Sequence, residues 1–292
     1  MQTVEQAFKP QESVLSAHPI SGAMRSAVLA QLKALEREHD VKVLFACESG
    51  SRGWGFASPD SDYDVRFVYV PRLPWYLRTR AGRDVIELPV SAELDVSGWE
   101  LRKALQLMQA SNPVLLEWLR SPVVYCSETA WVKRLHELAL QSFSPVRGYH
   151  HYLSMARKTM KNHLRPDNEL VKYKKYFYAL RPLLAARWIR EIGGVPPMRF
   201  AELATALLHD AELLSELNAL LTVKMRAGEA ATSAPWSRIQ AFLRTELDLA
   251  EQYAPQAKPL SAETVQAADA FLLEAVTHFN TQSSRKNQEQ EE

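Results

Sequence analysis

Three acidic residues and one glycine-serine turn carry most of the chemistry this sequence could do. In the segment Val41 to Val70, VKVLFACESGSRGWGFASPDSDYDVRFVYV, Gly50-Ser51 is followed after ten residues by Asp62-Tyr63-Asp64. Side chains on a strand alternate between faces, so a strand from Asp62 to Val70 presents Asp62 and Asp64 together and turns Tyr63 away. Arg66 falls on the same face, where it can neutralise a carboxylate or meet a phosphate. Two like charges side by side are costly, and a hard cation that prefers oxygen, Mg²⁺ above all, relieves them. A bare Asp-x-Asp is more often a solvated strand end with capping aspartates. Here a glycine-rich turn precedes it, with three glycines among residues 50–55. Such a backbone can approach a ligand closely, and a short helix opening there aims free N–H groups at it, which suits phosphate. Downstream, Asp95 stands between Leu94 and Val96, an acid in an apolar strand that needs a cation or hydrogen-bond donors.

The elements that must position these groups follow from periodicity. Ser21 to Asp40 reads as a helix with Val28, Leu29, Leu32 and Leu35 on one stripe, and Val41 to Ala46 as the strand leading into the turn. After the acidic strand, which closes at Pro71 and Pro74, Trp75 to Arg83 reads as a basic loop. Asp84 to Val90 and Glu93 to Val96 read as further strands, Gly98 to Ala110 and Val114 to Leu119 as helices, and Val123 to Tyr125 as a short strand. From Ser127 onward the pattern is helical: roughly 129–141, 145–164, 169–191, 199–208, 210–227, 235–253 and 261–279. This predicts an α+β fold. A small mixed-sheet domain with an N-terminal extension (1–126) precedes a helical domain (127–280) and a polar, disordered tail (281–292).

Composition bounds the class. The 292 residues are 47% hydrophobic and 24% charged with a net charge of +1, ordinary values for a globular protein. No apolar run approaches the roughly 20 residues that span a bilayer, and the polar start MQTVEQAFKPQE lacks the features of a secretory signal, so a cytoplasmic location is expected. Cys47 and Cys126 form neither a disulfide framework nor a zinc pattern. The charge is unevenly spread: residues 144–191 carry eleven Lys/Arg against three Asp/Glu, and residues 192–292 carry eight against fourteen. That basic block suggests an anionic partner, triphosphate or nucleic acid. Within it, Tyr173, Phe177, Leu180, Leu184 and Trp188 form a core stripe. Lys174, Tyr178 and Arg181 form a flank that could offer cations to a triphosphate and a ring to a base, or be a solvated basic face. Pro182 predicts a kink or break in that helix. Arg157 and His163 have a spacing also found in helical HEPN ribonucleases, but Lys158 departs from that pattern.

Gly50-Ser51, the interval to Asp62-Tyr63-Asp64, and Asp95 together resemble the DNA polymerase beta-like nucleotidyltransferase superfamily. GSRGWGFASPDSDYDVR, ELDVSGWELRKAL and NPVLLEWLRSPVVY are similar to its bacterial branch, the RNA repair pathway DNA polymerase beta family. The resemblance covers residues about 41–190, including KKYFYALRPLLAARW. It implies a small palm-like sheet holding two Mg²⁺ ions, with Mn²⁺ as substitute, on Asp62, Asp64 and Asp95. Asp62 and Asp64 would bridge both metals, and Asp95 would bind the metal that activates an acceptor hydroxyl and help remove its proton. Gly50, Ser51 and Arg52 would hold the outer phosphates of a nucleoside triphosphate such as ATP, with Arg66, Lys174, Tyr178 and Arg181 as further nucleotide-binding candidates. The implied reaction transfers a nucleoside monophosphate to an acceptor hydroxyl, with an RNA 3′ end as the acceptor the family name favours. Nucleotidylation of a protein or small molecule, and a nucleotide- or RNA-binding module with little turnover, are the alternatives.

Overall fold

The computed structural model describes residues 19–80, 82–89, 93–257 and 259–291, with side chains as far as Thr281. The expected N-terminal extension before residue 19 and the end of the expected strand at Val90 lie outside the described residues. Packing divides the chain into two compact units. One comprises Ile20–Ser49, Tyr63–Ser142 and Pro259–Glu292, and the other includes Gly50–Asp62 and Phe143–Lys258. The grouping differs from a cut after residue 126 in two ways. The helix Thr129–Ser142 packs with the sheet through Leu135, Leu138 and Ala139, while the glycine-rich turn packs with the helices.

In the first unit, β1 (Val41–Glu48), β2 (Tyr63–Pro71), β3 (Val85–Glu87), β4 (Leu94–Glu100) and β5 (Val124–Ser127) form one mixed sheet in the order β3-β4-β2-β1-β5. Strand β2 runs antiparallel to β1 and parallel to β4, and β3 and β5 pair antiparallel at the two edges. Alternation assigns the faces. Val65, Phe67 and Tyr69 join Val43, Ala46, Ile86 and Val96 in a core sealed by Val28, Leu32 and Leu35 of the helix Gly22–His39. Ser21 caps that helix by accepting from the Met24 amide at 3.1 Å. Asp64 and Arg66 therefore project from the opposite face of β2. The helices Leu101–Gln109, Pro113–Leu119 and Thr129–Ser142 also pack on the sheet and bury Leu101, Leu105, Met108, Leu115 and Leu116.

Strand β4 keeps Gly98, Trp99 and Glu100, residues that helical periodicity assigns to the next element. The reason is local: buried Glu100 is the helix cap, its carboxylate accepting from the amides of Arg102 at 2.7 Å and Lys103 at 3.2 Å, so the helix starts after it. The expected basic loop begins with a short helical turn, Leu73–Tyr76, set by Pro74 in its first turn.

The second unit holds the helices Pro145–His163, Tyr173–Glu191, Phe200–Leu207, Ala211–Arg226 and Ser237–Gln252. A two-residue ribbon, Val171–Lys172 against Thr232–Ser233, corrects the reading of this half as free of strands. The helix Tyr173–Glu191 is its centre and packs on the other four. It runs unbroken through Pro182, contrary to the expected break. Burial on nearly every side, from Tyr176 and Phe177 through Ala179–Ala186, outweighs the one backbone bond that proline removes. In the first unit, the last helix, Ala262–Glu291, extends through residues that composition marks as disordered. Gln, Glu, Lys and Arg, which are frequent in that stretch of sequence, are good helix formers.

Gly98 faces Phe67 across the parallel pair, and a Cβ there would lie 2.3 Å from the buried Phe67 ring. Gly98→Ala is therefore expected to destabilise the protein by about 1–3 kcal/mol, seen as a lower urea midpoint with an unchanged slope.

Candidate functional site

The site begins with a register. In the parallel pairing of β2 with β4, Asp64 stands opposite Asp95 and Arg66 opposite Ser97, so both carboxylates leave one face side by side. Arg66 closes the gap between them. Its Nη2 donates to Asp64 Oδ1 at 3.0 Å and Asp95 Oδ2 at 2.7 Å, while Nη1 donates to the carbonyls of Asp95 at 3.0 Å and Val65 at 3.1 Å. Asp95, which the sequence marks as needing a cation or hydrogen-bond donors, has both in this arginine, and its side chain is 36% exposed.

The backbone of Asp64 is fixed from the other side. Glu48, at the end of β1, is completely buried, and its carboxylate accepts from the Asp64 amide at 2.8 Å and from the Tyr125 hydroxyl. The Ser49 amide returns a bond to the Asp64 carbonyl at 2.8 Å. Ser121 Oγ donates to the Glu48 carbonyl at 2.6 Å, which secures the strand end itself. Glu48 was visible in the sequence only as one acid in a polar turn, so its role as the brace of Asp64 was not legible there. Its neighbour Cys47 is fully enclosed, and burial, reinforced by the Glu48 charge, pushes its thiol up and away from the reactive thiolate.

The glycine-rich segment belongs to the other unit. Gly50 has φ 55° and Gly55 φ 88°, left-handed conformations that favour glycine at both ends of the short helix Gly50–Trp54. Ser51 is buried, and its carbonyl accepts from the amides of Gly55 and Phe56 at 3.1 and 3.0 Å. Arg52 folds back on its own chain, donating to the carbonyls of Asp62 at 3.2 Å and Ser61 at 2.7 Å. It thus holds the main chain just ahead of β2, where Asp62 sits with an exposed side chain. Asp62 joins Asp64 through Tyr63.

A second brace, which no sequence pattern announced, acts on the same segment. Lys224 is 2% exposed, with Nζ donating to Ser58 Oγ at 2.7 Å and lying 5.7 Å from the Phe56 ring centre. Glu229 accepts from Ser61 Oγ at 2.7 Å and from Lys174 Nζ at 2.7 Å, and its amide donates to the Asp60 carboxylate at 2.9 and 3.0 Å. More than 160 residues separate Ser58 and Ser61 from these partners, which is why spacing could not find them. Burial lowers the Lys224 ammonium, and the Glu229 charge works against that. For Glu229, burial alone would raise the carboxyl, but the bonds from Lys174 and Ser61 and the Lys224 charge outweigh it and bring the pKa from 4.5 to about 2.

The helical flank is more occupied than its pattern suggested. Lys174 is paired to Glu229. Arg181, expected as an outward cation, is 2% exposed; it donates from Nε to the Met198 carbonyl at 3.0 Å and lies 4.8 Å from the Trp54 ring centre. Tyr178 is exposed, edge-on to Trp54 at 5.5 Å, with the Lys175 ammonium 5.7 Å from its ring centre. Arg157 is paired to Glu251 at 2.9 Å, and His163 is the last residue of its helix.

Among the described residues no group of three or more His, Cys, Asp or Glu side chains is gathered as a ready metal-holding set. The donors still fit a hard divalent cation. Asp64 and Asp95 offer only carboxylate oxygens, and both already converge on one positive group, the Arg66 guanidinium.

Two comparisons give this geometry a relative. The family described as RNA repair pathway DNA polymerase beta family matches residues 24–274. The uncharacterized protein YcgL of Bacillus subtilis (strain 168) is 42% identical over 253 residues, covering 87% of this chain and 96% of its own. A nucleotidyltransferase-like protein from Exiguobacterium sibiricum 255-15 covers 87% of this chain and 80% of its own at 11% identity, with a TM-score of 0.28. Among the described residues no helix is long and apolar enough to cross a membrane.

The Glu229 cluster makes a stability prediction. A carboxyl whose pKa is depressed on folding contributes stability above its unfolded value, and that contribution is lost as pH falls through the folded one. Glu229→Gln should cost on the order of 3 kcal/mol at pH 7. The difference from the parent should shrink below about pH 4.5 and vanish near pH 2, the unfolded and folded values of this group. Denaturant titrations across that range check it.

Proposed function

The chain belongs to the RNA repair pathway DNA polymerase beta family, and from that premise we propose that it is a metal-dependent nucleotidyltransferase that adds a nucleoside monophosphate to a hydroxyl at an RNA 3′ end. The acceptor oxygen attacks the α-phosphorus of a nucleoside triphosphate, the new P–O bond forms as the bond to the β-phosphate breaks, and pyrophosphate leaves. The observation that carries the reading is the side-by-side placement of Asp64 and Asp95 around one positive group.

Asp62, Asp64 and Asp95 are the proposed metal ligands, with Mg²⁺ the expected ion and Mn²⁺ its substitute. Divalent cations, when bound, neutralise charge on the entering and leaving oxygens, which is the main demand of this chemistry. Asp95 takes up the proton released by the acceptor hydroxyl. Glu48 keeps the Asp64 main chain in place, and Arg52 and Glu229 hold the turn ahead of Asp62, so positioning is built in before substrate arrives. Gly50 and Ser51 are assigned to the outer phosphates, with the left-handed backbone at Gly50, φ 55°, as support. Tyr178, exposed and edge-on to Trp54, is the stacking candidate for a base.

RNA is favoured as acceptor by a patch in the helical unit. Burial first, then the charges of Lys174 and Lys172, lower the Lys175 ammonium, and burial followed by Lys175 and Lys172 lowers His163. Lys172 is exposed and the Lys175 ammonium lies 5.7 Å from the centre of the exposed Tyr178 ring, so charge for a phosphate backbone stands beside a ring for a base.

Labelled nucleoside triphosphates with Mg²⁺ and short RNA test the proposal. RNA lengthened by one or a few nucleotides is the expected product, and label found only in protein or a small molecule overturns the acceptor assignment. Asp64→Asn should lower transfer by on the order of 10²–10³ or more while the circular dichroism spectrum stays that of the parent. Near-parental transfer by that variant refutes the metal assignment.

A further inference from the structure

Arg66 holds the position a metal ion is expected to claim. One terminal nitrogen reaches both acids, 3.0 Å from Asp64 Oδ1 and 2.7 Å from Asp95 Oδ2, and the other is anchored on two carbonyls. The register that pairs Asp64 with Asp95 forces their negative charges together, so the protein without metal needs a counter-charge there. A guanidinium serves well, being permanently charged, weakly hydrated and forked to suit carboxylates. Its side chain is only 19% exposed, so this is a seated group rather than a surface contact. A guanidinium and a divalent cation cannot share those two oxygens without bringing like charges together.

We propose that Arg66 is an exchangeable internal counter-ion: it neutralises Asp64 and Asp95 in the metal-free protein and must leave them for a divalent cation to bind. The inference rests on the metal-dependent reading above and adds what that reading leaves out, a competitor inside the chain. Two consequences follow from linkage. Metal affinity is reduced by the free energy needed to break the Arg66 pairs, and the metal-free state is stabilised by those same pairs. Once released, the guanidinium can meet a phosphate group, and metal and triphosphate binding would then reinforce each other.

Mn²⁺ binding without nucleotide, followed by the loss of its free paramagnetic signal, tests this on the parent, Arg66→Met, Arg66→Gln and Asp64→Asn. Removing the competitor should tighten Mn²⁺ binding by about tenfold in both Arg66 variants. The variants should also melt lower than the parent in chelator and recover more of that loss when Mn²⁺ is added. Unchanged or weaker Mn²⁺ binding in the Arg66 variants, with binding abolished by Asp64→Asn, overturns the exchange while leaving the metal site standing. Mn²⁺ binding that is absent from every form, or indifferent to Asp64→Asn, overturns both. If Arg66→Met folds only with Mn²⁺ present, the ion is replacing the lost guanidinium, which supports the exchange.

Discussion

The parallel pairing of β2 with β4 is the constraint on which the rest of the site depends. Its register puts Asp64 beside Asp95 on one face, and on the other it sets Phe67 against Gly98, where only a hydrogen leaves room for the ring. A slip of β2 by one residue would send Val65 and Phe67 out of the core and Asp64 and Arg66 into it. The hydrophobic face therefore guards the acidic one. Burial of Val65, Phe67, Tyr69 and Val96 under the helix Gly22–His39 is what makes the slipped alternative expensive. The chemistry of one face is held in place by the packing of the other.

Around that pairing, groups that do not touch the two acids' oxygens fix the chain that carries them. Glu48 is the clearest case, a fully buried carboxylate whose oxygens both accept hydrogen bonds, one of them from the Asp64 amide. A buried acid is tolerable on those terms because strong donors replace water. Lys224 and Glu229 play the corresponding part in the helical unit, where their bonds to Ser58 and Ser61 hold the turn that ends at Asp62. Each brace joins residues far apart in sequence, so the precision of the acidic segment is a tertiary property.

That also explains what was legible in the sequence. Strand alternation through Val65, Phe67 and Tyr69 and the helical stripe through Val28, Leu32 and Leu35 located the sheet and its covering helix, since both depend on local period. The family blocks around Gly50-Ser51 and Asp62-Tyr63-Asp64 pointed to the nucleotidyltransferases. What alternation could not supply was the partner of Asp95, because whether an acid in an apolar strand meets a metal or an arginine depends on the neighbouring strand. The same blindness misplaced Arg181. Its helical position fits an outward flank, but Trp54 and the Met198 carbonyl enclose it. Of the kink or break that Pro182 predicted, the break does not occur, because propensity weighs the lost backbone bond and takes no account of burial on every side.

Charge counting gave the right sign for the helical half and too wide an extent. Of the eleven Lys and Arg in residues 144–191, Arg157, Lys174, Arg187 and Arg190 are paired to Glu251, Glu229, Glu191 and Glu246, Arg165 lies within 3.8 Å of Asp167, and Arg181 is buried. Partnered charges contribute little field at a distance, because each is cancelled within a few ångströms. The surplus available to an anionic partner is therefore concentrated in Lys172 and Lys175, with Arg147, Lys158 and Lys161 exposed on the helix before them. Lys175 stands over Tyr178, the one ring of this helix both exposed and edge-packed on Trp54. A cation beside an accessible aromatic face is the combination that single-stranded nucleic acid exploits, with charge for the backbone and a flat surface for a base. The charge available to an anionic partner is thus concentrated in a patch of a few residues, where composition alone had spread it over forty-eight.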